Sequence, residues 1–194
     1  EGAGAVHAAG HGLDGLELVD APALAALVLL GMRAAVEPAA VARWHATARV
    51  RLGPLRIGGV LPLADLAGAG VPLAMGSGSP AAGFDPWGAV AAAVLHAEPE
   101  QRISARAAFR AHTRGGWRLA GLDGAGELRV GAPAHLAIWR AEHLVVQAPE
   151  GRLAAWSTDP RAGTPLLPEL GPDVPRPRCL RTVRAGEVIF DALG

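Results

Sequence analysis

The first side chains that could do chemistry are two histidines near the amino terminus. His7 and His11 are four residues apart, a spacing that would place both imidazoles on one face if the segment were helical. Such a pair could contribute to a divalent-metal site, because imidazole is a frequent zinc ligand. We interpret the segment as part of the surface and keep the two-histidine metal site as the alternative.

Carboxylates are the second kind of candidate, since they bind metals and accept protons. Glu37 directly follows a predicted strand and could reach the open end of a sheet, although a carboxylate without a partner is usually only solvated. Glu17 lies at the end of another predicted strand. Asp85 precedes Pro86 and is predicted to cap a helix instead, because Asp followed by Pro is typical of a helix start.

The remaining polar groups are interpreted as structural. Ser77 and Ser79 lie in a Gly-Ser-Gly-Ser-Pro run that departs from the G-x-S-x-G pattern of a serine nucleophile and lacks the lysine of a phosphate-binding loop. His112, at a predicted helix end, would bond a backbone carbonyl or complement the helix dipole. Cys179 has arginines nearby that could activate a thiol, but we interpret it as structural.

Composition excludes several classes of function. The 18 basic and 18 acidic side chains of the 194-residue chain cancel, and no basic stripe appears, so we expect no nucleic-acid partner. The apolar run at residues 21–30 is shorter than the roughly 20 residues of a membrane span, and no signal peptide is apparent. A single cysteine builds no internal disulfide, which suits a reducing compartment. We expect a cytoplasmic protein without a membrane partner.

The secondary-structure elements that must position these groups can be predicted from the sequence. Their order indicates an α/β unit over residues 1–121. Strands are predicted at residues 16–19, 32–37 and 71–76. Helices are predicted from the Asp20 cap to Gly31 and at residues 62–69, 86–96 and 104–112, the last capped by Ser104, while residues 43–59 are predicted to be irregular. Strands that alternate with helices favour a parallel sheet with helices on one face.

A second region, residues 122–194, is predicted to be a small antiparallel β-domain. Its short apolar runs, separated by glycine turns, lie at residues 134–139, 143–147, 153–156, 180–184 and 188–190. The proline-rich stretch at residues 157–178 is predicted to be a surface loop. Five apolar positions are predicted to be buried, namely Ile138, Val145, Leu153, Val183 and Ile189.

Five motifs in order resemble amidohydrolase family 3, part of the amidohydrolase superfamily. Residues 71–87, VPLAMGSGSPAAGFDPW, are similar to the family's eighth strand and following loop, VPLAxGSDSPVxxxDPW. Residues 11–20, HGLDGLELVD, resemble its sixth-strand pattern H-R-L-E-H-x-E-M-V-D. Residues 102–117, 126–139 and 182–191 resemble the helix pair after the last strand, the re-entry into the β-domain and the closing hairpin.

This resemblance implies the sixth to eighth strands of a metal-dependent (β/α)-barrel followed by a small β-domain. Such enzymes hold a divalent metal, zinc-like, at the carboxyl ends of the strands, and hydrolyse C–N bonds other than peptide bonds. The position of the family's sixth-strand histidine is Gly15, and that of its eighth-strand aspartate, metal ligand and proton acceptor, is Gly78. Glycine has no side chain, so no catalytic or metal-binding residue is expected at either position.

The expectation is therefore a truncated carboxyl-terminal part of a family 3 amidohydrolase that is inactive alone and needs no cofactor. Two alternatives remain open: a noncatalytic interaction module, or one piece of a hydrolase completed by a missing amino-terminal half. An incomplete barrel would expose strand edges and an apolar face, so self-association, or association with the missing half, is expected.

Overall fold

A parallel three-stranded sheet organises the first part of the chain. The computed structural model describes residues 2–80, 82–147, 156–157 and 166–193, within two compact units, Glu1–Gly124 and Ala125–Gly194. In the first unit the strands lie in the order β1 (Gly12–Leu13), β2 (Arg33–Val36) and β3 (Leu73–Met75). Strand β2 is central because it pairs with both β1 and β3, and both pairs are parallel. The chain is therefore an α/β protein, and the described residues do not close into a barrel.

Two of the three predicted strands are confirmed, and the third is wrong. The strand predicted at residues 16–19 lies instead at Gly12–Leu13. Gly15 has a left-handed backbone, φ +70°, that interrupts the strand. The Leu16 N–H still bonds to the Ala35 carbonyl of β2 at 3.4 Å, and Leu18 forms only an isolated bridge to Val60. The apolar residues of the segment are used in packing rather than in a strand ladder, since Val19 is buried.

Eight α-helices surround or follow this sheet in the described residues. They are α1 (Ala3–Ala9), α2 (Ala21–Leu29), α3 (Pro38–Leu52), α4 (Pro54–Ile57), α5 (Leu63–Gly68), α6 (Pro86–Val94), α7 (Ala105–Arg110) and α8 (Gly116–Leu119). A 3-10 turn covers Pro99–Gln101, and a π-helical turn, Ala111–Gly115, joins α7 to α8.

The predicted helix caps are confirmed by hydrogen bonds. The Asp20 carboxylate accepts from the N–H of Ala23 at 2.9 Å, and the Ser104 hydroxyl accepts from the N–H of Ala107 at 3.1 Å. Asp85 also acts as a cap, because its Oδ1 accepts from the N–H of Gly88. These bonds satisfy amide groups that a helix start otherwise leaves unpaired.

The irregular region predicted at residues 43–59 is wrong, because most of it is helical. Helix α3 starts at Pro38 and runs for 15 residues, until Gly53 ends it with φ +70°. Val41, His45 and Ala48 form its buried side at spacings of four and three. Its three arginines, Arg43, Arg49 and Arg51, lie outside this side, and arginine is a good helix former that tolerates solvent. Arginine content was therefore a poor indicator of irregular structure.

One buried cluster of the first unit lies between α2, α5 and the sheet. Its buried residues are Val19, Leu27, Ala34, Leu66 and Val71, with Leu16, Leu24, Met32 and Leu73 packed against them. Near α6, the Trp87 and Phe109 rings stack with centroids 5.7 Å apart. In the described part of the chain, no helix is both long and apolar enough to cross a membrane.

The second unit contains two small antiparallel sheets. One has the order β4 (Leu136–Arg140), β8 (Arg178–Arg184) and β9 (Glu187–Asp191). The other joins β6 (Trp156–Ser157), β5 (Leu144–Gln147) and β7 (Leu167–Pro168). Strand β7 lies inside the stretch predicted to be one surface loop, where it pairs with β5.

Burial in the second unit differs from the prediction. Val145 is buried and Val183 is half-buried, whereas Ile138 is 41% exposed and Ile189 is 57% exposed. Leu153 lies outside the described residues. The prediction places both isoleucines in a core because their strands are apolar. Strand β9, however, is an edge strand whose five residues are all exposed, so its apolar side chains are not covered by the described residues.

Candidate functional site at the carboxyl edge of the parallel sheet

The three parallel strands bring their carboxyl ends to one edge, which we call the carboxyl edge. It consists of Gly15 and Asp14 after β1, Glu37 after β2, and residues 76–78 after β3. Parallel α/β folds place ligands and chemistry at this end of their strands. The side chains here therefore decide what the unit can do.

Glu37 provides the carboxylate next to the loop after β3. It ends β2 and starts α3, and its backbone carbonyl accepts from the N–H groups of Ala40 and Val41. Its side chain does not cap the helix and is half-buried. Within the described ranges, no hydrogen bond or ion pair engages the carboxylate, so its oxygens remain available.

The Glu37 carboxylate fills the space beside Gly78. A Cβ built on Gly78 would lie 2.7 Å from Glu37 Oε2, 3.2 Å from Glu37 Cδ and 3.6 Å from Ala40 Cβ. Gly78 also has φ +71°, a left-handed conformation that most side chains disfavour. The position that resembles the family's aspartate is thus without a side chain, while a carboxylate from the neighbouring strand reaches the same place.

The loop after β3 is held by its own hydrogen bonds. Gly76 N–H donates to the Val36 carbonyl at 3.0 Å, which fixes the loop to β2. The Ser77 hydroxyl accepts from the N–H of Ser79 at 3.2 Å. Ser77 therefore acts as a turn residue in this structure, which agrees with its interpretation as structural.

Gly15 has open space but an unfavourable backbone. A Cβ added there would meet no atom within 4 Å, and the residue is exposed. Its N–H is bound by Asp14 Oδ1 at 3.0 Å, and its φ is +70°. A residue with a side chain would pay about 1–2 kcal/mol for this left-handed conformation. Both glycines at family site positions are thus in conformations that glycine favours.

The structure does not place His7 and His11 on one helix face. His7 lies in α1, which ends at Ala9, and His11 comes after that end and directly before β1. The His7 ring packs so closely on Gly31 that a Cβ there would lie 2.4 Å from its Cδ2. Both histidines precede strands, and they are therefore at the opposite end of the sheet from Glu37.

Two further candidates, His112 and Cys179, have local contacts. His112 lies in the π-helical turn, and burial lowers its pKa, while a hydrogen bond to its own backbone and the Asp85 charge oppose that effect. A lowered pKa favours the neutral ring and disfavours a role as a helix-dipole counter-charge. Cys179 is half-buried in β8, with its Sγ 3.5 Å from Thr182 Oγ1.

The carboxyl edge does not fit a metal site made by the described residues alone. Nowhere among them do three or more His, Cys, Asp or Glu side chains lie where they could hold one ion. The edge itself offers the carboxylates of Glu37 and Asp14, and a catalytic zinc takes three protein ligands. We therefore assign no reaction step to a metal held by these residues.

Sequence reasoning identified Glu37 as a candidate but missed its relation to Gly78. The signal was present, since the two residues follow strands predicted to be parallel neighbours. Their contact could not be predicted from the sequence, because the distance between them depends on the left-handed turn at Gly78 and on the direction of the Glu37 side chain.

Comparisons with a family model and with solved structures agree on one family of proteins. A sequence model of the amidohydrolase family matches residues 3–190, whereas no curated protein matches the chain. Zinc-complexed atrazine chlorohydrolase TrzN from Arthrobacter aurescens TC1 is 23% identical with a TM-score of 0.58, over 93% of this chain and 36% of that one. An uncharacterized metal-dependent hydrolase from Pyrococcus horikoshii OT3 is 26% identical with a TM-score of 0.55, over 63% of this chain and 27% of that one.

A third solved structure, an uncharacterized metal-dependent hydrolase from Pyrococcus furiosus, is 23% identical with a TM-score of 0.55, over 63% of this chain and 26% of that one. The chain thus spans 26–36% of the length of these three proteins. The likeness to the structures shows a shared fold, and the family match covers nearly every residue. On this evidence the chain belongs to amidohydrolase family 3.

Proposed function

We propose that this chain is a carboxyl-terminal part of a family 3 amidohydrolase, and that alone it does not catalyse metal-dependent hydrolysis of C–N bonds. Residues 1–121 would be the part of a (β/α)-barrel that contains its sixth to eighth strands, and residues 122–194 its small β-domain. The relatives named above include a zinc-complexed hydrolase and two metal-dependent hydrolases. The proposal concerns the chemistry that this chain's own residues can contribute to such a site.

The observation that carries the proposal is the pair of left-handed glycines at the carboxyl edge. Hydrolysis of this kind needs a metal that lowers the pKa of a bound water and a carboxylate that takes its proton. By resemblance, positions 15 and 78 would supply a histidine ligand and that carboxylate. Gly15 and Gly78 supply neither, and their φ values of +70° and +71° suit glycine.

Glu37 does not by itself reverse this conclusion. Its carboxylate occupies the space next to Gly78, so it could accept a proton or contribute one metal ligand. One ligand is too few for tight binding of zinc, which is held by several protein groups in an ordered geometry. A site at this edge would need ligands from outside the residues described.

Zinc titration calorimetry tests the proposal directly. We expect no site of micromolar affinity in the intact chain, and no zinc-dependent release of product from amide or ring C–N substrates. A one-to-one zinc site of micromolar or tighter affinity would contradict the proposal. The variants Glu37→Gln, His7→Ala and His11→Ala would then show whether the carboxyl edge or the amino-terminal histidines hold the ion.

A second candidate function, association with a second copy of the chain, is favoured by the surface of β9. Among the described strands, β9 pairs with β8 on one side and with no strand on the other, so no described strand covers its outer edge. Val188, Ile189 and Phe190 are each about half-exposed on it. An edge strand with exposed apolar side chains is a typical surface for strand pairing between molecules.

A further inference from the structure

A cluster of polar side chains, three of them buried, lies outside the carboxyl edge. His45 and Arg49 belong to α3, and His96 and Glu98 belong to the segment after α6. His45, His96 and Glu98 are 6%, 5% and 7% exposed, although such residues are rarely this buried without a partner. These three side chains are buried, unlike those of a solvated surface, and polar, unlike those of a typical core. The proposed function does not involve them.

Glu98 joins the segment after α6 to α3. Its Oε1 accepts a hydrogen bond from the Arg49 guanidinium and lies 3.2 Å from Nε2 of His45. The second contact has an ion-pair distance but not hydrogen-bond geometry. His45 and Arg49 are four residues apart in one helix, so the two side chains reach Glu98 from the same face.

His96 holds the backbone of Glu98 through a single ring nitrogen. Its Nδ1 lies 3.1 Å from the Glu98 nitrogen and 3.2 Å from the Glu98 carbonyl oxygen. A neutral Nδ1 can accept the Glu98 N–H, whereas a protonated Nδ1 can only donate to the carbonyl oxygen. Protonation therefore exchanges one partner for the other. The His96 ring also meets the His45 ring edge-on, with centroids 6.0 Å apart.

The same segment caps a distant helix. Gln101 Oε1 accepts from the N–H groups of Ala64 and Asp65, at 3.2 Å and 3.4 Å, in the first turn of α5. Its Nε2 donates to Asp65 Oδ2 at 2.8 Å. The residue at the cap position itself, Pro62, offers no capping side chain. The start of α5, the helix that leads into β3, thus depends on a residue held in place near Glu98.

We propose that residues 96–102 form a proton-sensitive latch. With His96 neutral, the latch holds Glu98 against α3 and Gln101 over the start of α5. Protonation of His96 removes the acceptor for the Glu98 N–H and places a positive charge near His45 and Arg102, an effect that the Glu98 carboxylate opposes. The segment then loosens, and the cap on α5 is lost with it. The latch does not depend on the proposed function, because none of its residues lies at the carboxyl edge.

The direction of the pH effect follows from the surroundings of His96. Burial lowers its pKa from the ordinary value of 6.5, and the charges of His45 and Arg102 act in the same direction, against the Glu98 backbone bond and carboxylate. The unfolded chain therefore takes up this proton at a higher pH than the folded chain does. Stability is retained above the unfolded pKa and lost as the pH falls through and below it.

Hydrogen exchange, corrected for the intrinsic pH dependence of the exchange rate, tests the latch in the intact chain. Between about pH 8 and about pH 5.5, the amides of Ala64 and Asp65 should lose protection relative to Gly88, whose N–H is bound by Asp85. The variant His96→Asn keeps a side-chain acceptor near the same place but cannot titrate, so its protection should be independent of pH. His11→Asn, at an exposed histidine, is the matched control and should behave as wild type.

Urea unfolding of the same proteins measures the size of the effect. The wild-type unfolding equilibrium constant should rise on acidification by about tenfold for each unit by which the folded state lowers the His96 pKa, and His96→Asn should lose this dependence. An unchanged ratio of Ala64 to Gly88 protection in the wild type would overturn the latch without any variant. Equal pH dependence in His96→Asn, or its loss in His45→Asn instead, would also overturn it.

Discussion

At the scale of single residues, the carboxyl edge places a glycine and a carboxylate from a neighbouring strand in contact. Gly78 leaves a space that the carboxylate of Glu37 enters, and the backbone at Gly78 takes a left-handed turn. Introducing an acid at position 78, where the resembling family has an aspartate, therefore does more than add a carboxylate. It places a second carboxylate against the first, on a backbone that favours glycine, and like charges at this distance repel.

The variant Gly78→Asp should consequently be destabilised by about 1–2 kcal/mol, the cost of a left-handed conformation, with repulsion from Glu37 added. Glu37→Ala in the same molecule should recover the repulsive part. Gly78→Asn is the matched control, since Asn has nearly the same shape, meets the same left-handed backbone as Asp and carries no charge. Urea unfolding measures all four stabilities.

Titration by NMR provides an independent readout of the same pair. The carboxyl introduced at position 78 should have a pKa raised above its ordinary range while Glu37 is present, and nearer that range after Glu37→Ala. Equal stabilities of Gly78→Asp and Gly78→Asn, with no coupling to Glu37, would show that the two positions do not meet.

At the scale of elements, the helices after β3 pack on that strand through a glycine. A Cβ on Gly115 would lie 2.2 Å from the Leu73 carbonyl oxygen and 3.1 Å from the Ala74 Cα, both backbone atoms that cannot turn aside. The π-helical turn thus approaches β3 more closely than any side chain would permit. The widening of the helix at Ala111–Gly115 occurs where this contact is made.

Two neighbouring glycines allow this contact to be tested. Gly115→Ala should lower the free energy of unfolding by about 1–3 kcal/mol, because the added methyl meets backbone atoms. Gly116→Ala adds the same group where no atom lies within 4 Å, in a helical conformation, and should stabilise by up to about 1 kcal/mol. Thermal unfolding compares the two variants, and similar effects of both would argue against a close approach at Gly115.

The sequence predicted elements well where local signals were strong. Strand β3 is a continuous apolar run, and β2 is apolar after Arg33. Asp20 and Ser104 are cap residues before apolar segments, so each of these elements could be placed. It failed at β1, where the apolar residues serve packing after Gly15 turns the chain. The π-helical turn and the latch also escaped prediction, because they depend on contacts between residues far apart in the sequence.

At the scale of the whole molecule, the family could be predicted from the sequence, whereas the burial of apolar side chains in the second unit could not. The motifs at residues 71–87 and 182–191 fix a family because residue types and order suffice for that. To predict burial, one must know which elements pack over each strand. The alternation of residue types within a strand does not give that information. Ile138 and Ile189 therefore have apolar side chains, as a core would, yet are exposed among the residues described.

The exposed face of β9 leads to the last prediction, self-association of the chain. If β9 pairs with a second copy, light scattering during size-exclusion chromatography should show a dimer that dissociates on dilution. Ile189→Asp should weaken it at least tenfold, because a charge would enter the apolar contact. Val130→Asp, at a fully exposed residue of the same unit outside the strands, is the matched control and should leave the dimer unchanged. A wild-type chain that stays monomeric at every concentration would refute this surface as a dimer contact. Equal weakening by both variants would point to a general charge effect rather than to β9.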